Sequence, residues 1–175
     1  QNENDTKKLY LTVKEVSSIT HGHFRSVFAC FIYVVFAIQL IKGKSKKEAY
    51  SHMQKTALEY AEIQEFNPKE IDLFNRVLKH DISGYPEDEI KSGGYVLHSL
   101  EASLWCFLNS ESYSEAVLKA VNLGEDTDTT GAITGGIAGI YYGYENIPQE
   151  WLNVLVRKDD IEALCEKLNN TYNRD

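Results

Sequence analysis

The sequence has few cysteines and few prolines, three of each in 175 residues, and it has fewer basic than acidic residues. The cysteines are odd in number and form no C-x-x-C pair, so neither a disulfide framework nor a zinc knuckle is expected. With 18 Lys and Arg against 26 Asp and Glu, the formal net charge is −8, which argues against sequence-independent binding to nucleic acid or to an anionic membrane. We therefore expect a globular protein in a reducing, cytoplasmic environment.

Long hydrophobic runs are also lacking. The most apolar stretch, Val27 to Ile41, contains one polar residue, Gln39, in 15. A membrane-spanning helix needs about 20 residues, so this stretch predicts a core helix that is buried on all sides. The N-terminus is polar, without the apolar segment of a signal peptide and without an initiator Met, so we expect the chain to begin inside a longer protein.

The apolar periodicity is helical almost throughout, and we find no pair of alternating strands, no internal repeat and no low-complexity segment. Ser45 with Glu48 and Ser112 with Glu115 match capping boxes, and Gly43 suits the position after a helix end. The fold class is therefore predicted to be all-α. The last predicted helix, capped by Asp159, has an apolar stripe at helical spacing: Ile161, Leu164, Cys165, Leu168 and Tyr172.

The most informative segment carries four glycines at intervals of four residues: Gly131, Gly135, Gly139 and Gly143. Each glycine inside a helix costs about 1 kcal/mol relative to alanine, so a stripe of four needs a compensating reason. Close approach of another backbone provides one. We therefore predict a central, tightly packed helix.

Asp126, Asp128 and Thr129 directly precede that glycine-striped helix. In a non-helical lead-in, oxygen-bearing side chains at i, i+2 and i+3 can converge on one point, as hard divalent cations require. Helix capping is the simpler interpretation, because helix N-termini favour such residues. Capping accounts for one of them but not for five consecutive Asp and Thr residues, so the pattern favours a metal site.

Two known motifs and one histidine pair are the alternatives to this metal site. An EF-hand needs a bidentate Glu at position twelve, where Ile137 stands, and is excluded. The nucleophile motif of haloacid-dehalogenase-type phosphatases needs a buried strand before it, whereas 114–123 is predicted to be an amphipathic helix. A metal pair at His21 and His23 is disfavoured, since two rings at i and i+2 diverge on a helix and imidazole favours softer metals than an oxygen-rich site.

The segment from Gly124 to Ala132, followed by the glycine-striped helix, resembles the ADP-ribosylglycohydrolase family, which includes the enzyme that reactivates dinitrogenase reductase. The resemblance extends from about Leu11 to Gly143 and also includes the segments 17–23 and 92–96. In this order the motifs are highly specific.

The resemblance implies an all-α domain with two divalent cations, Mg²⁺ or Mn²⁺, in a central cleft, and an enzyme that hydrolyses ADP-ribosyl linkages on protein side chains. It implies that the metal ligands include Asp126, Asp128 and Thr129. It also implies that the cleft near the ribose and diphosphate is lined by Thr20, His21, Gly94 and Tyr95.

The chain lacks a counterpart of the family's earlier acidic half, so residues 11–175 resemble the C-terminal part of one domain, with residues 1–10 as a polar lead-in. The catalytic residues stay unassigned, and about half of the metal shell is expected here. The alternative is a catalytically silent binding or structural module. The expected partners are ADP-ribose or ADP-ribosylated protein, together with the missing N-terminal segment or a second copy packed on the glycine stripe.

Overall fold

The computed structural model describes residues 3–172, and over that range it is helical without a strand. The helices in chain order are α1 (Glu3–Ser17), α2 (Phe24–Ile41), α3 (Lys46–Ile63), α4 (Pro68–Asp72), α5 (Asn75–Leu78), α6 (Val96–Leu108), α7 (Tyr113–Asn122), α8 (Thr127–Tyr142), α9 (Gln149–Val154) and α10 (Lys158–Tyr172). The all-α prediction is therefore confirmed.

Several helix ends follow the local signals in the sequence. Ser45 and Glu48 form the complete capping box that starts α3, and Gly43 follows α2 with a positive φ of 76°. The second predicted box is only half formed. The Ser112 hydroxyl accepts from the Glu115 backbone N–H, but the Glu115 carboxylate accepts from the Glu111 N–H instead of closing back on Ser112.

Helices α2, α6 and α8 contact one another pairwise and form the centre of the molecule. Helices α1 and α3 pack on α2, and α7 packs on both α6 and α8. The interior between α1, α2, α3 and the segments that follow is rich in stacked and edge-on aromatic rings: Tyr10, Phe24, Phe28, Phe31, Tyr60, Phe66 and Phe74. The rings join α1 to α2, and other residues of these two helices line the groove described below.

Helix α2 corresponds to the long apolar run. Among the described residues it alone has the length and hydropathy of a membrane span, and 56% of it is buried inside the fold. The prediction of a helix that belongs to the core is confirmed, but burial on all sides is wrong. Cys30 and Ile41 are exposed, and Tyr33 and Val34 are half-buried.

The glycine face of α8 packs against α7, its nearest neighbour in the chain. A Cβ on Gly131 would lie 3.1 Å from Val121 Cγ1, and one on Gly135 would lie 3.4 Å from the Tyr113 hydroxyl oxygen. The predicted tight packing on this face is therefore confirmed, but the atoms nearest to the glycines belong to side chains of α7 and not to its backbone. Gly143, however, lies just beyond the helix, where its φ of 88° ends α8.

Because α7 already lies against the glycine face, no missing segment or second copy is needed to account for the stripe, and the expectation of such a partner stays a prediction. The face of α8 next to the glycine face is the open one, where Ala132, Gly136 and Ile140 are exposed, although the Tyr33 hydroxyl oxygen lies 2.8 Å from where a Cβ on Gly136 would be. Helix α8 therefore packs on α2, α6 and α7 but is exposed along this one face.

The C-terminal helix differs from its prediction in two ways. It begins at Lys158, so Asp159 lies in its first turn instead of capping it. Its apolar stripe is not core: Leu164 is 68% exposed and Tyr172 is 79% exposed. The Glu162 carboxylate accepts a hydrogen bond from the Tyr144 hydroxyl near the start of the helix.

Two truncations distinguish core from surface. Met53 is fully buried on α3, and we expect Met53→Ala to lower the free energy of unfolding by about 2–5 kcal/mol. Leu164→Ala, on the exposed stripe, should change it by less than about 0.5 kcal/mol. Urea unfolding followed by circular dichroism measures both. An equal loss in the two variants would show that α10 packs in the core.

Candidate functional site

A large, mostly apolar groove lies between α1, α2, the start of α6 and the first turns of α8. Its volume is about 1050 Å³. Its walls include Val16 from α1, Cys30 and Val34 from α2, Val96 from α6 and Ile133 from α8. A concave, apolar surface of this size with a few polar groups is typical of small-molecule sites.

The groove gathers five of the seven residues singled out from the sequence: Thr20, His21, Gly94, Tyr95 and Thr129. These residues come from three separate parts of the chain. The sixth, Asp126, lies beside the groove, because its Oδ2 atom is 3.1 Å from the position that a Cβ on Gly94 would take. The seventh, Asp128, is exposed in the first turn of α8. Their binding roles stay predictions.

Two loops meet at the start of α8. The Asp126 backbone N–H donates to the Ser92 carbonyl at 3.1 Å. A Cβ on Gly93 would lie only 2.8 Å from Glu125 Oε2, and Gly94 faces the Asp126 carboxylate in the same way. The two glycines therefore allow the acidic loop to lie directly on the loop that starts α6.

Asp126 occupies the N-cap position of α8, but its side chain makes no capping hydrogen bond. Capping therefore does not account for this carboxylate. The predicted non-helical lead-in is corrected, because α8 begins at Thr127 and so includes Asp128 and Thr129 in its first turn. The positive end of the helix dipole favours carboxylates there, whether or not a cation is bound.

The donor set fits a hard cation only in part. Within residues 3–172 no group of three or more His, Cys, Asp or Glu side chains is placed to hold a metal ion. Asp126, Asp128 and Thr129 offer two carboxylates and one hydroxyl, whereas Mg²⁺ takes six oxygen ligands. Their chemistry is right for Mg²⁺ or Mn²⁺, and their number is about half of what one complete shell needs.

The alternatives from the sequence lose support. His23 caps α2, since its Nδ1 accepts from the Arg25 backbone N–H at 3.2 Å, which accounts for this residue without a metal. The segment before Asp126 is the helix α7, so the buried strand that a haloacid-dehalogenase-type motif needs is absent from the described chain.

Two side-chain arrangements at the groove were not anticipated. Tyr33 donates to the Ile133 carbonyl at 2.8 Å and so joins α2 to α8, and burial raises the pKa of this phenol to about 12. Arg25 forms a two-point ion pair with Glu70 and also reaches the Tyr95 hydroxyl. In the sequence Tyr33 lies within an apolar run and Arg25 is an isolated basic residue. Neither context predicts its partner, the Ile133 carbonyl for Tyr33 and Glu70 for Arg25.

Comparisons with known proteins agree with the family resemblance seen in the sequence. The sequence model of one family, ADP-ribosylglycohydrolase, matches residues 2–175. The chain is 37% identical over 155 residues to the ADP-ribosylarginine hydrolase Tri1 of Serratia proteamaculans. It is 26% identical over 144 residues to the ADP-ribosyl-(dinitrogen reductase) glycohydrolase of Rhodospirillum rubrum.

These alignments cover 87% and 82% of this chain but only 38% and 42% of the two relatives. A solved structure described as an ADP-ribosylglycohydrolase-related protein complex is similar with a TM-score of 0.70 and 30% identity. It matches 86% of this chain and 49% of its own. The chain therefore spans about two fifths to one half of the length of these three proteins.

The three cysteines provide a direct check of the groove. Cys30 on the groove wall and Cys165 on α10 are exposed, whereas Cys106 is buried, and burial raises its pKa to about 12. We expect iodoacetamide to alkylate the first two in the native protein and to reach Cys106 only in denaturant, because the thiolate is the reacting form. Peptide mass spectrometry measures the three rates. Native alkylation of Cys106 as fast as that of Cys165 would contradict the described packing.

Proposed function

The chain belongs to the ADP-ribosylglycohydrolase family, and from this premise we propose that it takes part in removing ADP-ribose from modified protein side chains or related linkages. Homologues in the family hydrolyse such linkages. The observation that carries the proposal for this chain is the groove, which collects Thr20, His21, Gly94, Tyr95 and Thr129 from distant segments.

The groove suits a ligand that combines apolar faces with many oxygen atoms. Its apolar walls can pack against a base and the carbon face of a ribose, while the Thr20 hydroxyl and the His21 imidazole provide hydrogen bonds. In this proposal the absent side chain of Gly94 lets the Asp126 carboxylate lie at the groove wall, near the ligand. The catalytic acid or base is not assigned to any residue of this chain.

We propose that Asp126, Asp128 and Thr129 hold part of a divalent-cation site, for Mg²⁺ or Mn²⁺, with two ions in the complete site. A bound cation there would act as a Lewis acid on ligand oxygens. The protein's own contribution is positional, because the α7–α8 contact and the Ser92 carbonyl fix the backbone that carries the two carboxylates.

The site needs further polypeptide to be complete, either the missing N-terminal segment or a second copy. Two observations support this proposal: the partial ligand set, and apolar surface left open in the groove, on α8 at Ile140 and on α10. The relatives named above are more than twice as long as the part that this chain matches.

A catalytically silent module is the second candidate. The shortage of metal ligands among residues 3–172 favours it, since the groove can bind a ligand without a complete cation shell.

The three free thiols agree with the expected cytoplasmic location, which stays a prediction.

Cation binding tests the metal proposal without enzymatic activity. We expect Mn²⁺ to bind weakly, with a dissociation constant on the order of 10⁻³ M, because few ligands are present. Electron paramagnetic resonance of free Mn²⁺ measures this. Asp126→Asn and Asp128→Asn should each abolish binding.

The matched control is Asp159→Asn, which removes an Asp from the first turn of another helix, α10. It should leave Mn²⁺ binding unchanged. Equal losses in Asp128→Asn and Asp159→Asn would show non-specific attraction to negative charge and would contradict the site.

Hydrolysis is tested with ADP-ribosylated arginine protein, chosen because the Serratia relative is an ADP-ribosylarginine hydrolase. We expect Mg²⁺-dependent release of ADP-ribose that Asp128→Asn abolishes, with the chain assayed alone and together with the N-terminal half of that relative. Chromatography of released ADP-ribose is the measurement. If ADP-ribose is released neither by the chain alone nor by the chain with that N-terminal half, the enzymatic proposal is contradicted.

The same preparation distinguishes a silent binding module from an inert one. ADP-ribose in the groove should slow alkylation of Cys30 and leave Cys165 unchanged. Protection without hydrolysis would identify the silent module. Absence of both would contradict both candidate functions.

A further inference from the structure

Three separate helices are joined at the mouth of the groove by one arginine. Arg25 on α2 donates from Nε and Nη2 to the two carboxylate oxygens of Glu70 on α4, at 2.7 and 2.9 Å. Its Nη1 donates to the hydroxyl oxygen of Tyr95, the residue that precedes α6, at 3.1 Å. A two-point contact with a carboxylate fixes the plane of a guanidinium, so the direction of Nη1 is fixed as well.

The direction of this last hydrogen bond decides what the tyrosine can do. Arginine has donors and no acceptor, so the Tyr95 oxygen must accept and its own proton stays available. Among the described residues Arg25 is the one hydrogen-bond partner of that hydroxyl. A hydroxyl that accepts from a cation is also a stronger donor, because hydrogen bonds in a chain polarise one another.

The surroundings place that proton where a ligand can take it. Tyr95 is 41% exposed and lines the groove next to Gly94, and its ring is held edge-on against His98 at 5.2 Å between centroids. Hydrogen bonding to Arg25 lowers the pKa of Glu70, and the same contact raises the pKa of Arg25. Both partners therefore stay charged across the neutral range.

We propose that Arg25, fixed by Glu70, is a positioning residue that orients Tyr95 as a hydrogen-bond donor to an acceptor oxygen of the ligand in the groove. The identity of the ligand, an ADP-ribosyl group, rests on the proposed function. The alternative is that the contact only ties α2, α4 and α6 together. Exposed ion pairs contribute little to stability, and this pair is about one third exposed, so a purely structural role would leave little effect to measure.

The orientation is tested first without any ligand. With tyrosines labelled by ¹³C at the ring carbon that bears the hydroxyl, Tyr95→Phe identifies the Tyr95 signal among the 11 tyrosines. Arg25→Lys and Glu70→Gln should both shift this signal in the same direction, because each releases the fixed Nη1 donor. Arg157→Lys is the matched control, since Arg157 pairs with Asp160 at 2.7 Å on the surface, and it should shift nothing. An unmoved Tyr95 signal in a folded Arg25→Lys chain would overturn the proposal.

A double-mutant cycle then tests the ligand. ADP-ribose binding, followed by calorimetry, should weaken about tenfold in Arg25→Lys and about as much in Tyr95→Phe, the loss typical of one hydrogen bond. The double variant should be no weaker than either single variant. An Arg25→Lys loss that persists in the Tyr95→Phe background would show that Arg25 acts by itself and would overturn the positioning role. If the unaltered chain fails to bind ADP-ribose, the proposed function fails, and the ring signal still decides the positioning.

Discussion

Helix α8 lies close to α7 because Gly131 and Gly135 present no Cβ toward it. This contact fixes the axis of α8, and the Tyr33 hydrogen bond to the Ile133 carbonyl fixes α8 against α2 at nearly the same level. The first turn of α8 then has one position relative to the groove. The place of the Asp126 carboxylate depends on that position, since Asp126 is the N-cap residue of the helix.

A second set of absent side chains brings the acidic loop to the loop that starts α6. Gly93 and Gly94 lie against the Glu125 and Asp126 carboxylates at distances where a methyl group would displace them. The glycines of α8 and the glycines of the loop thus both help to place the acidic residues at the groove. The helix glycines set the axis, and the loop glycines let the carboxylates reach the groove wall.

The sequence was sufficient where the determining interactions are local. The Ser45 capping box and the end of α2 at Gly43 depend on neighbours a few residues away, and both were predicted. Periodicity also identified the apolar stripe of α10, but it could not tell what covers that stripe, and in the described chain it is exposed. The Arg25–Glu70 pair spans 45 residues and is set by how α2 and α4 pack, so no local signal announces it.

The cation site proposed above and the open groove have a common consequence. Thr129 lines the groove, Asp126 lies beside it and Asp128 is exposed in the same first turn of α8, so a polypeptide that covers the groove also reaches the start of α8. If that polypeptide brings the remaining oxygen ligands, as we propose, the cation binds more tightly to the covered form than to the open one. Linkage is reciprocal, so the cation must then stabilise the covered form by the same free energy. Assembly of the groove and assembly of the metal site would therefore be a single equilibrium, driven by burial of apolar surface on one side and by ligand charge on the other.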